Sequence, residues 1–395
     1  MLAAYVGLFI GSVGVGYEAR IANYLTSTNL ANQLVWNIWW PIVLVLAAVV
    51  GRVWCAVCPL EFLNSLGSRI GLKKKVPRVL KSGWVIPGFF AFILFGAVYY
   101  LGLKQAPRSL AVYLASVCFI AFLMGLIFEK RSFCSYVCPL GSIIGMYSYI
   151  GCIEWRADDR SVCSACKSHD CVAKENRYKL FGHSCTSNLY PARITDNRDC
   201  LLCGNCMKAC PYSNFRLSLR IPFKDFFTKI RLKPSEMGIL LLLIGFVNNN
   251  WEALVFFTLI PLAVCLAVSW RSRGEMLNAF MVLAIPMTAA AHTLKAFAGI
   301  IWNLPKYKLN FMDPLGIRTA RMLADKTLTI DHSWVGPLWK LHGNIMGLLY
   351  GGVFVVSVMI IVKSPLTEKI GRLGKAGLII SVALYIASFY IKINI

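Results

Sequence analysis

The sequence predicts an all-α polytopic membrane protein of about nine spans that carries one Cys-rich polar insert. Three observations carry that reading. The chain of 395 residues is 57% hydrophobic with a mean hydropathy of +0.62, and apolar runs of about 17 to 25 residues, the length that crosses a bilayer core as a helix, recur along it. Its 41 Lys and Arg fall mainly in short stretches between those runs, the distribution that keeps basic loops in the cytoplasm. Its 15 Cys cluster at ligand spacings in segments with cytoplasmic flanks, which reads as metal binding and not as disulfides.

Spans are expected at 2 to 16, 36 to 53, 84 to 103 and 110 to 128. After a polar stretch they resume at 237 to 250, 252 to 270, 276 to 302, 336 to 362 and 376 to 392. Three regions follow: membrane helices over 1–129, a polar domain over 130–235, and further membrane helices over 236–395. Lys73, Lys74, Lys75, Arg78 and Lys81 follow the second span, and Lys130 and Arg131 the fourth. Both sites, and the polar domain with them, are thereby assigned to the cytoplasm. The net charge of +23 is topological, and no nucleic-acid partner is expected. The first apolar run is followed by Tyr17, Glu18 and Arg20, so no cleavable signal is expected. Residues 303 to 335 are assigned to the opposite side, lying along the surface as an amphipathic helix.

Two segments resemble each other. GRVWCAVCPLEFLNSLG follows the second span and EKRSFCSYVCPLGSIIG the fourth, each with a basic residue three before the first Cys and then Cys-Pro-Leu. Each hairpin brings two thiols, Cys55 and Cys58 or Cys134 and Cys138, to the same membrane face. A third metal cluster, a redox-active thiol centre and plain helix-ending Cys-Pro turns are three readings of these four residues.

Within the insert, CLLCGNCMKACP places Cys200, Cys203, Cys206 and Cys210 before Pro211. Three thiolates at two-residue intervals wrap one cuboidal iron–sulfur cluster, and in two-cluster ferredoxins the Cys before Pro ligates the other one. The partner lies upstream in CSACKSHDC, with Cys163, Cys166 and Cys171, and Cys185 stands as a distant fourth. The crossing rule assigns one [4Fe–4S] cluster to Cys163, Cys166, Cys171 and Cys210 and a second to Cys200, Cys203, Cys206 and Cys185. Structural zinc upstream, a single cluster, and Cys152 in place of Cys185 are the alternatives. The polar domain is thus expected to be ferredoxin-like.

Twin Cys-Pro motifs after membrane helices, followed by a double-cluster insert, resemble the membrane ferredoxin-type quinol dehydrogenases, the subunits that accompany periplasmic nitrate reductase and nitrous-oxide reductase. The resemblance covers residues 36 to 220 or thereabouts. Cys134, Cys138 and Pro139 match that family's Cys-x-x-x-Cys-Pro, whereas Cys55, Cys58 and Pro59 are one residue shorter. It implies a bacterial or archaeal cytoplasmic membrane, quinone as a membrane partner and other redox subunits. The five carboxy-terminal spans have no counterpart in it.

Those spans hold His292, in IPMTAAAHTLKAF, and His342, in WKLHGNIMGLLYGG. Ionisable residues inside spans often mark ligands or proton pathways. Ligation of a haem b by the pair, a quinone site in which either His takes a proton, and a structural role are the readings open, with Lys295 one turn after His292 as a further proton-active candidate. His169 and His183 lie among the insert cysteines and are either exposed or tune a cluster. No nucleotide-binding glycine pattern, catalytic triad or hydrolytic carboxylate pair stands out. The expected function is electron transfer between [4Fe–4S] clusters and a quinone, as a subunit of a quinol dehydrogenase. The alternative is an accessory membrane ferredoxin that reduces a metal or cofactor while another enzyme is assembled.

Overall fold

The computed structural model of the chain describes residues 20 to 390 except 101, 104, 105, 180, 249, 250 and 269 to 271, together with 6, 7 and 9 to 11. The span expected at 2 to 16 lies largely outside the described residues. Four helical stretches are long and apolar enough to cross a membrane: Leu30–Val49, Pro107–Ile127, Arg273–Met312 and Ser333–Lys363. Val85–Val98 and Pro234–Asn248 are apolar but shorter.

Helix α1, Leu30–Val49, begins ahead of its apolar run because Asn29 caps it. Asn29 is extended, and its side chain accepts from the Asn32 amide at 2.9 Å, satisfying one of the orphan donors of the first turn. Residues Leu34–Trp39 take the wider π pitch, a distortion that recurs at functional sites. The chain turns at Gly51, whose φ of +110° favours glycine, and enters the short helix Val53–Val57. Cys58 is extended and Pro59 opens α2, Pro59–Ile70. A residue before Pro is pushed out of the helical region and Pro suits the first helical position, so Cys-Pro ends one helix and starts the next. After α3, Val85–Val98, the same sequence of events recurs: α4, Pro107–Ile127, the short helix Ser132–Tyr136, extended Cys138, and α5, Pro139–Tyr147.

The two repeats exchange helices. α2 packs along α4, and α5 packs along α1, so the helix after each Cys-Pro leans on the span of the other repeat. The first crossing is backbone to backbone. A Cβ added at Gly67 would lie 2.6 Å from the Phe122 carbonyl oxygen, and one at Gly125 would lie 2.3 Å from that of Asn64. Asn64 donates to the Ala121 carbonyl at 2.9 Å across the same contact.

The insert is closed at its base by strand β1, Ile153–Ala157, antiparallel to β2, Phe215–Leu219, with Ile153 opposite Leu219. Buried Arg220 ties it to the end of α5. It donates to the carbonyls of Gly151 at 2.7 Å and Tyr149 at 3.1 Å and pairs with buried Asp225. The Asn197 amide donates to the same carboxylate at 3.1 Å, so neither charge of this pair is buried without a partner.

The last third contains α6, Pro234–Asn248, α7, Ile260–Val268, α8, Arg273–Asn303, α9, Gly336–Lys363, and α10, Arg372–Ala387. α8 is buried on almost every side from Met276 to Leu294 and packs against α1, α6, α9 and α10. A helix that is apolar all round belongs in the middle of a bundle. Beyond it the chain stays helical through Met312 and returns as the amphipathic helix Ile317–Ala324. This segment folds over residues 22 to 33: Thr28 donates to the Gly316 carbonyl at 3.0 Å and Asn29 to that of Leu315 at 3.1 Å. Phe311 and Met312 stay exposed.

Candidate functional site

The insert folds its eight cysteines into two sets. Burial pushes the Cys171 thiol up to about 11, and the nearby Cys210, Cys163 and Cys166 add to the shift. Those four therefore lie together, and the Asn214 amide donates to the Cys163 sulfur at 3.3 Å. Cys185, Cys200, Cys203 and Cys206 line a second, small cavity with Trp155, Leu202 and Gly204. The loop wraps around it through two left-handed residues, Leu202 at φ +54° and Gly204 at φ +69°. Burial pushes Cys206 up to about 12, with Cys185, Cys203 and Cys200 adding to it. The Leu189 amide donates to the Cys185 sulfur at 3.4 Å, and Asn205 to Cys203 at 3.3 Å. Cys185 reaches this set because its amide bonds back to the Cys171 carbonyl at 2.7 Å. Cys152 is held by its amide on the Val49 carbonyl at 2.7 Å and does not line the cavity.

A third set forms where the repeats meet. Burial pushes Cys58 up to about 12, with Cys138 and Cys55 adding to it, and burial pushes Cys138 up to about 11. The Cys134 thiol is also raised, by burial and by Glu61, Cys138 and Cys58. Helix starts serve two of these sulfurs: the Leu60 and Glu61 amides point at Cys58, and the Gly141 amide donates to Cys138 at 3.4 Å. Such donors favour thiolate over thiol. Arg131 is buried and meets Glu61 of the other repeat, Nε to Oε2 at 2.9 Å. Cys134 donates to the same carboxylate oxygen at 3.7 Å. Arg52 is buried too and donates to the Arg198 carbonyl at 3.0 Å.

The donor sets suit polynuclear iron. All 15 cysteines are free thiols, and thiolates are soft ligands. Among the described residues no three His, Cys, Asp or Glu side chains converge on the position of one metal ion. Four thiolates in one set match a cuboidal cluster, which takes one thiolate on each of its four irons.

A cavity of about 680 Å³ opens beside the third set. Cys58, Cys138 and Trp54 line one end, Trp40 and His292 its middle, and Gln33, Asn37, Asn303 and Lys306 the other end. His292 is buried. The Trp40 indole donates to its Nε2 at 3.1 Å, and its Nδ1 lies 3.1 Å from the Tyr147 hydroxyl. An indole only donates, so Nε2 is the acceptor and Nδ1 carries the proton toward Tyr147. A separate hollow of about 480 Å³, lined by Cys58, Glu61, His183 and Cys203, joins the third set to the downstream insert set.

The three residues expected to do proton work divide. His292 and Lys295 line the cavity, and His342 does not. His342 Nε2 lies 3.0 Å from the Leu294 carbonyl, which it serves as a helix-to-helix tie. Lys295 donates to the carbonyls of Phe246 at 2.9 Å and Val247 at 3.2 Å, closing the end of α6. Of the two His read as a haem-ligating pair, His292 bonds Trp40 and Tyr147 through its two ring nitrogens and His342 bonds the Leu294 carbonyl. His183 faces the hollow beside Cys203, and His169 packs edge-on against Tyr190. Sequence reasoning missed Glu61, Trp40 and Tyr147. Glu61, two residues after the Cys-Pro, was the visible signal for the first, and nothing local marked the other two.

A family model described as a 4Fe-4S binding domain matches twice, over residues 32–77 and 111–156. Each match holds one Cys-Pro hairpin, so the internal repeat is a duplicated unit. The ferredoxin-type protein NapH of Escherichia coli is 26% identical over 193 residues, 45% of this chain and 66% of that protein. NapH of Haemophilus influenzae is 24% identical over 197 residues, with the same shares. The chain is similar to the ferredoxin-type NapH proteins. An uncharacterized protein of Methanocaldococcus jannaschii is 28% identical over 177 residues, 43% of this chain and 65% of its own length. The chain therefore spans just under two thirds of the length of these three relatives. No solved structure matches it. The two 4Fe-4S binding domain matches support an iron–sulfur protein, and its apolar helices are fit for a membrane.

Proposed function

We propose that the chain is the membrane-integral electron-transfer subunit of a quinone-reactive oxidoreductase, with its cysteine sets on the cytoplasmic face of a multi-pass bundle. The observation that carries this is the cavity, which touches the Cys58 and Cys138 thiols and His292 at once. Three four-thiol sets would hold [4Fe–4S] clusters, and a cluster of this kind supplies one-electron chemistry when bound. Arg131 and Arg52 offset the negative charge of thiolates in the third set. The cavity's size and aromatic walls suit a quinone ring. Trp40 and His292 form a donor–acceptor pair: a quinol hydroxyl inserted between them accepts from the indole N–H and donates to His292 Nε2, so no hydrogen bond is lost. The resemblance to ferredoxin-type NapH proteins supports redox partners, and the insert, with 15 Lys and Arg against 8 Asp and Glu between residues 151 and 235, suits an acidic one.

The test is anaerobic purification followed by reduction with a quinol. His292→Phe should slow quinol-dependent cluster reduction about 10- to 100-fold, the range of one proton-transfer contribution, while dithionite still reduces every cluster. His342→Ala should leave the rate unchanged. Clusters that exchange no electrons with any quinone would transfer the assignment to an accessory ferredoxin that serves enzyme assembly.

A further inference from the structure

The polar side chains that line the cavity gather mainly at one end, and that asymmetry concerns protons. From His292 the lining residues of the central helical run continue as Lys295, Gly299, Asn303 and Lys306, spaced three or four apart and therefore on one helix face. α1 answers with Trp40, Asn37 and Gln33 at the same spacing. Asn37 donates to Gln33, and its Oδ1 sits so close to Gly299 that a Cβ there would lie 2.7 Å away. The polar residues thus face each other across a narrow seam. In the other direction, toward Cys58 and Cys138, the walls are Phe89, Phe90, Leu140 and Ile143, with the Tyr113 hydroxyl near Cys138.

Two groups at the polar end are incomplete. Among the described residues the Lys306 ammonium, at 9% exposure, has no hydrogen-bond or ion-pair partner, and neither has the buried Asn303 Oδ1. Buried polar groups are nearly always bonded, and a polar, roomy cavity satisfies them with water. His292 and Lys306 are separated by about 21 Å along the helical run, at roughly 1.5 Å per residue. That is more than half of the roughly 30 Å bilayer core.

Resting on the quinone reading, we infer that the protons of quinol oxidation leave through this seam to the face opposite the cysteine sets. Oxidation of a hydroquinone breaks two O–H bonds and yields the quinone, two electrons and two protons. Cys55, Cys58, Cys134 and Cys138 would hold the iron–sulfur group that takes up the electrons one at a time. Each proton passes from the hydroxyl to His292 Nε2 in place of the Trp40 hydrogen bond, and from there to water held by Asn37, Gln33, Asn303 and Lys306. Electrons and protons part at Trp40 and His292, because the seam offers a proton a row of polar side chains whereas the wall toward the cysteines offers the isolated Tyr113 hydroxyl.

Proteoliposomes containing the whole cluster-loaded chain test this. Protease cleavage of the exposed insert reports orientation, ferricyanide accepts electrons on the insert face, and pH dyes on either side report protons. Quinol oxidation should acidify the face opposite the insert. Lys306→Met and Asn37→Leu should slow that acidification at least tenfold, Lys306→Arg should restore it in part, and quenching of tryptophan fluorescence by a short-chain quinone should change less than twofold. Acidification of the insert face in the unaltered protein overturns the inference while leaving the quinone reading intact. Unaltered protein whose fluorescence is not quenched and whose clusters no quinol reduces removes both.

Discussion

Cys210→Ala separates the two ways of dividing the insert cysteines. Cys210 is adjacent in sequence to Cys200, Cys203 and Cys206, yet in the fold it lies with Cys163, Cys166 and Cys171 and raises the Cys171 thiol more than the other two do. Cys185, fifteen residues before Cys200, completes the downstream set and lines its cavity. With all three sets loaded, the chain should carry about twelve irons, four for each set of four thiolates. The variant leaves the upstream set one ligand short and should hold about eight. The assay is anaerobic iron and sulfide analysis together with alkylation footprinting by mass spectrometry, since a thiol released from iron becomes reactive. Cys163, Cys166 and Cys171 should become labelled, and Cys185, Cys200, Cys203 and Cys206 should stay protected. Labelling of Cys200, Cys203 and Cys206 with the upstream set protected would refute the crossed assignment.

Cys138→Ala should likewise release about four irons and expose Cys55, Cys58 and Cys134, with both insert sets still protected. An unchanged iron content would make the third set a metal-free thiol centre. Glu61→Gln leaves buried Arg131 without its carboxylate, a change that costs about 3 to 5 kcal/mol. Thermal unfolding in detergent should show it, and Arg131→Gln added to the same chain should recover much of the loss. Gly125→Ala places a Cβ 2.3 Å from the Asn64 carbonyl and should cost about 1 to 3 kcal/mol by forcing α2 from α4. Gly88→Ala, with nothing within 4 Å, should be neutral or slightly stabilising in the same measurement.

Local features made most elements legible in the sequence. Pro107 and the long apolar run behind it set α4 within a few residues of the expected span, and α8 and α9 follow their runs equally closely. The start of α1 was hidden because its first turn, with Asn32 and Gln33, is polar, and the same polarity lines the far end of the cavity. His292 and His342 look alike in sequence, each beside small residues in an apolar run. Only packing separates them, because which face of a helix meets a neighbour depends on the neighbour. The cysteine spacings were legible because the loop that wraps a cluster is short. The Arg131–Glu61 pair joins residues seventy positions apart, and no local pattern predicts which buried cation a carboxylate will find.

The exchange of helices explains why a duplicated unit builds one centre rather than two. With α2 on α4 and α5 on α1, each Cys-Pro turn is carried to the seam between the repeats, and the four thiols meet there. One difference between the repeats decides where their arginines go. Two residues after its Pro the first has Glu61, which receives Arg131, and the second has Gly141. Arg52, the counterpart of Arg131, therefore finds no carboxylate in the second repeat. Its guanidinium lies over Gly141 and Gly145, where an added Cβ would approach it to 3.4 Å. It reaches instead to the insert, where it donates to the Arg198 carbonyl at 3.0 Å and lies 3.6 Å from Asp199, the residue before Cys200. One arginine thus closes the membrane half of the thiol centre, and the other holds the downstream insert set against it. A side chain at residue 141 would crowd the path that Arg52 takes to the insert, since an added Cβ would lie 3.4 Å from its guanidinium.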